Sequence, residues 1–217
     1  MLISIEGNIG SGKSTIIKYL KTLKNDKIVF VDEPVDEWQN IKSNGKNALE
    51  LFYENQKENA FWFQILAYIT RLRNLLATIE KNPNKLIVTE RSIYTDKFVF
   101  AKMLYESGNI SDIEFKTYNY WFDTFREKTK LDYILYVNTN PEECVKRINT
   151  RNRHEEKDIK LEYLQTCHEK HLEWMQTISK ETISKETISK EIIVKIDGHM
   201  KIDDIQTNVK QFISSLQ

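Results

Sequence analysis

Eight consecutive residues near the start of the chain state a chemistry. Gly7-Asn8-Ile9-Gly10-Ser11-Gly12-Lys13-Ser14, with Thr15 after them, fits the spacing G-x-x-x-x-G-K-[ST] of a phosphate-binding loop. Glycines let backbone N–H groups converge on phosphate oxygens at the positive end of a helix dipole. Lys13 is spaced to reach β- and γ-phosphates and Ser14 to ligate Mg²⁺. The loop implies a nucleoside triphosphate, but it does not separate kinases from hydrolases or switches.

Carboxylates supply the second element. Asp32-Glu33-Pro34 leaves Glu33 where a strand ends, a position suited to a general base for an attacking hydroxyl, though an ordinary turn reads the same. Glu90-Arg91-Ser92 follows a third strand, with an acid placed for Mg²⁺ and an Arg placed to orient it; a surface ion pair is the plainer reading. Gln64 and Arg71 are seven apart and share a helix face within about 20°. With Ala67 near that face they resemble a slot for a flat polar ring, although a core helix with a solvated edge looks similar.

The 32 basic residues divide into 25 Lys and 7 Arg. In so Lys-biased a chain, an Arg reads as required for its bidentate fork. Arg147, Arg151 and Arg153 form a cluster able to clamp a transferring phosphate, or else a helix laced with salt bridges. Arg73 and Arg126 read as solvated helix residues. Cys167-His168-x-x-His171 offers three ligand types on one helix and reads as packing and surface, not zinc.

These residues need a frame. Short apolar runs at Leu2–Ile5, Ile28–Val31, Leu86–Thr89, Tyr133–Val137 and Ile192–Ile196 predict strands covered on both faces. Helical patterns fall at 13–24, 46–80 (broken near 56), 94–128 (broken near 109), 141–151, 159–176 and 203–216. Alternation of this kind implies a parallel sheet with right-handed crossovers, whose ligands bind at the strands' carboxyl ends. The motifs fall on that edge. With 217 residues the chain is expected to form one α/β domain. TISKE repeats three times over 177–191; five residues per repeat scatter its Ile residues around a helix axis, so it reads as an exposed expansion without chemistry.

Composition narrows the function. Lys+Arg and Asp+Glu are both 32, for a net charge of zero, which argues against a nucleic-acid binder. No apolar run is long enough to span a membrane, and MLISIEG lacks the features of a signal peptide. Two cysteines, Cys144 and Cys167, fit unpaired thiols in a reducing compartment, so a cytoplasmic protein is expected.

Together the stretches GNIGSGKST (7–15), EPVDEW (33–38), FWFQ (61–64), ERSIYTDKFVFAKMLYESG (90–108) and RNRHEEKDIKLEYLQTCHEKHLEW (151–174) resemble the deoxynucleoside kinase family: deoxycytidine, deoxyguanosine and deoxyadenosine kinases and the insect multisubstrate enzyme. The resemblance covers nearly the whole chain except the TISKE insert. It implies a phosphate-loop kinase fold with a five-stranded parallel sheet flanked by helices and an Arg-rich lid at about 151–158. It also implies ATP or another triphosphate as donor, Mg²⁺, a deoxynucleoside acceptor and a homodimer. By position, Glu33 looks like the base for the 5′-hydroxyl, Arg91 would contact that hydroxyl, and Glu90 would assist with Mg²⁺. Tyr53 and Glu156 would hold the sugar 3′-hydroxyl. Gln64, Arg71 and Asp96 would read the base between Trp38 and Phe63. Arg147, Arg151 and Arg153 fall in the lid and its supporting helix, and 197–200 lies near the donor base. Asp32 and His154 are not matched to positions of the pattern. Two other readings are a nucleoside monophosphate kinase, which should need more basic residues on the acceptor side, and a slowly hydrolysing switch.

Overall fold

Five runs of β-branched and aromatic residues form the central sheet of the computed structural model, which describes residues 1–157, 159–184 and 192–216, without the side chains of 180–184. They are β1 (Leu2–Glu6), β2 (Ile28–Val31), β3 (Leu86–Glu90), β4 (Tyr133–Asn138) and β5 (Ile193–Asp197). All pairings are parallel, in the order β2-β3-β1-β4-β5. β1 is therefore central. The chain builds β2 and β3 on one side of it and β4 and β5 on the other, so the ligand crevice opens at the carboxyl ends beside β1.

Helices cover both faces. On one, α1 (Lys13–Thr22) and the C-terminal helix at Ile202–Ser215 pack Ile16, Ile17, Leu20, Val209 and Ile213 onto Ile3, Ile5, Val88 and Leu135. On the other face the chain adds α2 (Val35–Asn40), α3 (Ala48–Glu54) and α4 (Gln56–Lys81). Next comes α5, three consecutive pieces at Ile93–Thr95, Asp96–Ala101 and Lys102–Glu106, the middle one π-helical. Then follow α6 (Asp112–Phe125), α7 (Pro141–Arg151) and α8 (Leu161–Ser184). Phe63, Ala67, Val99, Met103, Cys167 and Trp174 meet Ile134 and Tyr136 there.

The helix expected from 46 is corrected. Lys42–Ser43 pairs antiparallel with Lys46–Asn47 across Asn44-Gly45, whose positive φ values of 50° and 80° are those of a tight hairpin. Asn47 then caps α3 by accepting from the Glu50 N–H, while Glu50 returns a bond to the Asn47 N–H. The expected break near 56 falls at Asn55, between α3 and α4. α8 outruns its expected end at 176, because Ile178 of the first TISKE unit packs half-buried on the core instead of facing solvent. The repeat beyond Ser184 lies outside the described residues. Among the described residues no helix is long and apolar enough to cross a membrane.

Candidate active site

The loop after β1 wraps a space that only glycines permit. A Cβ on Gly7 would stand 2.6 Å from the Val137 carbonyl oxygen, and one on Gly10 2.7 Å from that of Cys144, with φ at 144° and 78°. Asn8 and Ile9 anchor the loop: Asn8 Nδ2 donates to the Leu164 carbonyl at 2.8 Å, and Ile9 packs with Cys144, Ile148 and Leu164. Gly12 starts α1 by accepting from the Thr15 and Ile16 N–H groups. Ser11 Oγ is buried without a hydrogen-bond partner. Lys13 Nζ donates to the Asn8 carbonyl at 2.7 Å, curled inside the loop. Burial pushes its pKa down to about 8, with Arg91 adding to the shift and Glu90, Glu33 and Glu6 opposing it. Ser14 Oγ donates to Glu90 Oε1 at 2.7 Å, which brings together the hydroxyl and carboxylate expected to hold Mg²⁺. A collapsed amine and an unpartnered buried hydroxyl inside a glycine cradle fit a phosphate, and the Ser14–Glu90 oxygen pair fits a hard cation.

Glu33, released from β2 by Pro34, stands opposite this loop. Its Oε1 accepts from Arg91 Nη1 at 2.7 Å and Arg71 Nη2 at 3.1 Å. Burial alone would raise its carboxyl; Arg91, Arg71 and Lys13 outweigh it and hold the group well below the usual carboxylate range. Arg71 is the hub: it also donates to Asp96 Oδ2 and to the Glu90 carbonyl, each at 2.9 Å. Asp96 points inward from the π-helical turn. Burial raises its carboxyl, and the adjacent Arg71 does not fully reverse that shift. Arg91 takes a left-handed backbone, φ 59°, unusual for a side chain of its size.

Gln64, Arg71 and Asp96 line one end of a cavity of about 940 Å³ whose other end is Gly10, Gly12, Lys13 and Ser14, with Glu33 and Arg91 between. Trp38 and Phe63 wall it, 5.6 Å apart edge to face. Trp38 is fixed by its Nε1 donating to Thr70 Oγ1 at 3.0 Å. Gln64 Oε1 is buried with no hydrogen-bond partner, an acceptor left for a ligand donor. Tyr53 sits half-buried at the cavity wall beside Tyr163. Burial first, then the nearby Glu156, raises its phenol, so it stays a neutral donor.

The Arg cluster divides. Arg151 and Arg153 both pair with Glu156, Arg153 at 3.3 Å, so the three residues meet in the lid at the cavity rim. Arg147 instead donates to the carbonyls of Ser11 at 3.1 Å and Gly198 at 2.8 Å. It holds the phosphate loop against the turn after β5 while still lining the cavity at its phosphate-loop end. Arg73 is exposed and paired with Glu37, and Arg126 is exposed beside Asp123, as solvated helix residues should be. His171 is buried, Nδ1 2.7 Å from the Cys167 carbonyl of its own helix turn, and burial pushes its pKa down to about 3. Cys144 and Cys167 are both buried and unpaired.

Some contributors were not visible in the sequence. Glu155 accepts from Gln39 Nε2 at 2.8 Å and Asn47 Nδ2 at 3.1 Å, which docks the lid on α2 and the hairpin. Thr70 fixes Trp38. Such pairings join distant segments and leave no periodic signal.

A parallel sheet of this order, with a phosphate loop at its central strand and a cavity that runs from that loop to a polar set beside it, is the architecture of a phosphate-loop kinase. The family model described as deoxynucleoside kinase matches residues 3–214, and the chain belongs to that family. It is similar to human deoxycytidine kinase, 37% identical over 238 residues covering 99% of this chain and 91% of that protein. A probable deoxycytidine kinase of fowlpox virus is 36% identical, covering 99% and 88%. A mitochondrial deoxyguanosine kinase of Xenopus laevis is 32% identical, covering 80% and 72%. The protein is a deoxynucleoside kinase.

Proposed function

We propose that this kinase moves the γ-phosphoryl of ATP to the 5′-hydroxyl of deoxycytidine and the purine deoxynucleosides, with thymidine a poor acceptor, in intracellular nucleotide salvage. The observation that carries the reading is one cavity with the phosphate loop at one end, the Gln64–Arg71–Asp96 set at the other, and Glu33 between them. Glu33 accepts the hydrogen bond of the 5′-hydroxyl and points its oxygen at the donor phosphate. Its low pKa makes it a weak base, which suits a loose phosphoryl-transfer transition state in which the proton leaves late. Arg91 holds Glu33 in place and faces the same hydroxyl. Tyr53 and Glu156 grip the 3′-hydroxyl. Ser14 and Glu90 would hold Mg²⁺, which when bound neutralises charge on the β- and γ-phosphates. Lys13 leaves Asn8 for the phosphates, and Arg151 and Arg153 turn from Glu156 toward the transferring group as the lid closes. Arg147 braces the loop through the Ser11 carbonyl and lines the cavity beside it, where it can face the donor nucleotide.

A nucleotide-dependent switch would consume ATP at a rate indifferent to the acceptor. The test is ATP turnover with and without deoxycytidine. The expected result is stimulation of at least about tenfold with formation of the 5′-monophosphate; unstimulated turnover would refute the reading.

Lys13 gives a pH dependence. A lysine whose pKa is lowered to about 8 is charged below that pH and neutral above it. kcat/KM for ATP, which reports the free enzyme, is therefore expected to fall as pH rises through about 8. A profile flat to pH 10 would place the charge elsewhere.

The homodimer is proposed from one face. Ile69 on α4 and Ile113, Tyr120 and Trp121 on α6 are exposed, Ile113 at 71% and Tyr120 at 77%. Ile113 and Tyr120, seven apart, share the outer side of α6, whose inner side packs Tyr118 against Tyr68 of α4. Light scattering is expected to give twice the chain mass, and Tyr120→Glu to give monomer. A monomeric unmodified chain would contradict the assignment.

A further inference from the structure

Glu6 ends β1 directly below the phosphate loop, and nothing in the transfer chemistry uses it. It is completely buried. Three hydroxyls converge on its carboxyl: Ser4 and Ser92 on Oε1, Ser92 at 2.7 Å, and Thr95 on Oε2. Ser92 and Thr95 belong to the turn and first helical residues that follow Arg91. Glu6 therefore fastens the start of α5 to the central strand.

The fastening brackets a strained residue. Arg91 holds φ 59°, and a non-glycine residue keeps a left-handed backbone only when its surroundings over-determine it. The Arg91 N–H donates to the Ile5 carbonyl at 3.0 Å, and the Arg91 carbonyl accepts from Thr89 Oγ1 at 2.9 Å. Ser92, the next residue, is pinned by Glu6. The bend these contacts impose sends the Arg91 side chain back across the strand ends to Glu33 at 2.7 Å, with its Nε buried and free of any hydrogen bond. The guanidinium is thus hydrogen-bonded at one end by Glu33, with a 3.5 Å approach to the Gly7 carbonyl, the Phe100 ring at 5.1 Å and the nearby charges of Glu90 and Glu6, so its aim depends strongly on the backbone bend.

We infer that Glu6 is a positioning residue for phosphoryl transfer: by tying Ser92 and Thr95 to β1 it fixes the Arg91 bend, and through Arg91 it sets Glu33. The inference rests on the roles given above to Arg91 and Glu33.

The direct cut, Glu6→Ala, opens a buried cavity and threatens folding. Ser92→Ala with Thr95→Val is nearly isosteric and breaks the same tie while leaving the carboxyl in place. Each is made in the unmodified chain and in Arg91→Lys, and kcat and both KM values are measured with deoxycytidine and ATP. In the unmodified background the hydroxyl double variant is expected to lose about 30-fold in kcat, with KM for ATP changed less than about threefold. In the Arg91→Lys background the further loss is expected to be under about threefold, because the tie then has nothing left to position. Equal losses in both backgrounds, or an unchanged kcat, would overturn the inference, since a residue that merely supports the fold acts independently of the side chain at 91. An unmodified chain that does not phosphorylate deoxycytidine at all would instead refute the functional assignment.

Discussion

Glu33→Gln is expected to lower kcat by about 10²–10⁴ while the KM for deoxycytidine changes little. Gln keeps the shape and a hydrogen-bond acceptor but removes the negative charge that two arginines share at 2.7 and 3.1 Å. The hydroxyl is then still bound, but no anion receives its proton. Because the Glu33 carboxyl lies below its ordinary value of 4.5, its stabilising contribution is fully present above that pH and fades only as pH falls toward the folded value. Activity between about pH 5 and 7 should therefore show no acid limb from Glu33. A Gln variant with near-normal kcat would remove Glu33 from the chemistry and direct attention to Glu90.

The second large effect concerns the base. Cytosine and adenine carry an exocyclic amine, a donor, and Asp96 and Gln64 Oε1 both offer acceptors to it. Thymine places a carbonyl there, and its methyl crowds the side held by Arg71. A buried mismatch of this kind costs about 1–3 kcal/mol, enough for roughly 10–200-fold discrimination. Arg71→Met with Asp96→Ala is expected to raise kcat/KM for thymidine relative to deoxycytidine by about that factor. Arg71 also holds Glu33 and the Glu90 carbonyl, so the absolute rate with deoxycytidine should fall in the same variant. An unchanged ratio would show that neither residue reads the base.

The frame of the molecule was legible because its signals are local. Each strand is a short apolar run beside a turn, and the alternation with helices implies parallel pairing, whereas the order of the strands comes only from the packed sheet. The phosphate loop was legible because its spacing is a backbone requirement, seen in the clash a Cβ would make at Gly7 or Gly10. The Asn44-Gly45 hairpin is hard to read although an Asn-Gly pair signals one: the strands it joins are two residues each and polar, and the helical pattern from 46 masks them. The π-helical turn that aims Asp96 leaves no trace in periodicity. Arg147 illustrates a different limit. Its place beside Arg151 on one helix face is readable, but how its guanidinium shares itself between a phosphate and the Ser11 and Gly198 carbonyls depends on a turn 51 residues away in sequence. Glu6 reads as one polar residue at a strand end, and only the packed structure brings three hydroxyls onto it.

The most direct test of the account is a panel in which the purified protein receives ATP, Mg²⁺ and, separately, deoxycytidine, deoxyadenosine, deoxyguanosine and thymidine, with each 5′-monophosphate quantified. The account predicts 5′-phosphorylation of deoxycytidine and at least one purine deoxynucleoside, with thymidine at least about tenfold lower in kcat/KM. Thymidine converted as well as deoxycytidine would contradict the base reading, and no monophosphate from any of the four would contradict the account as a whole.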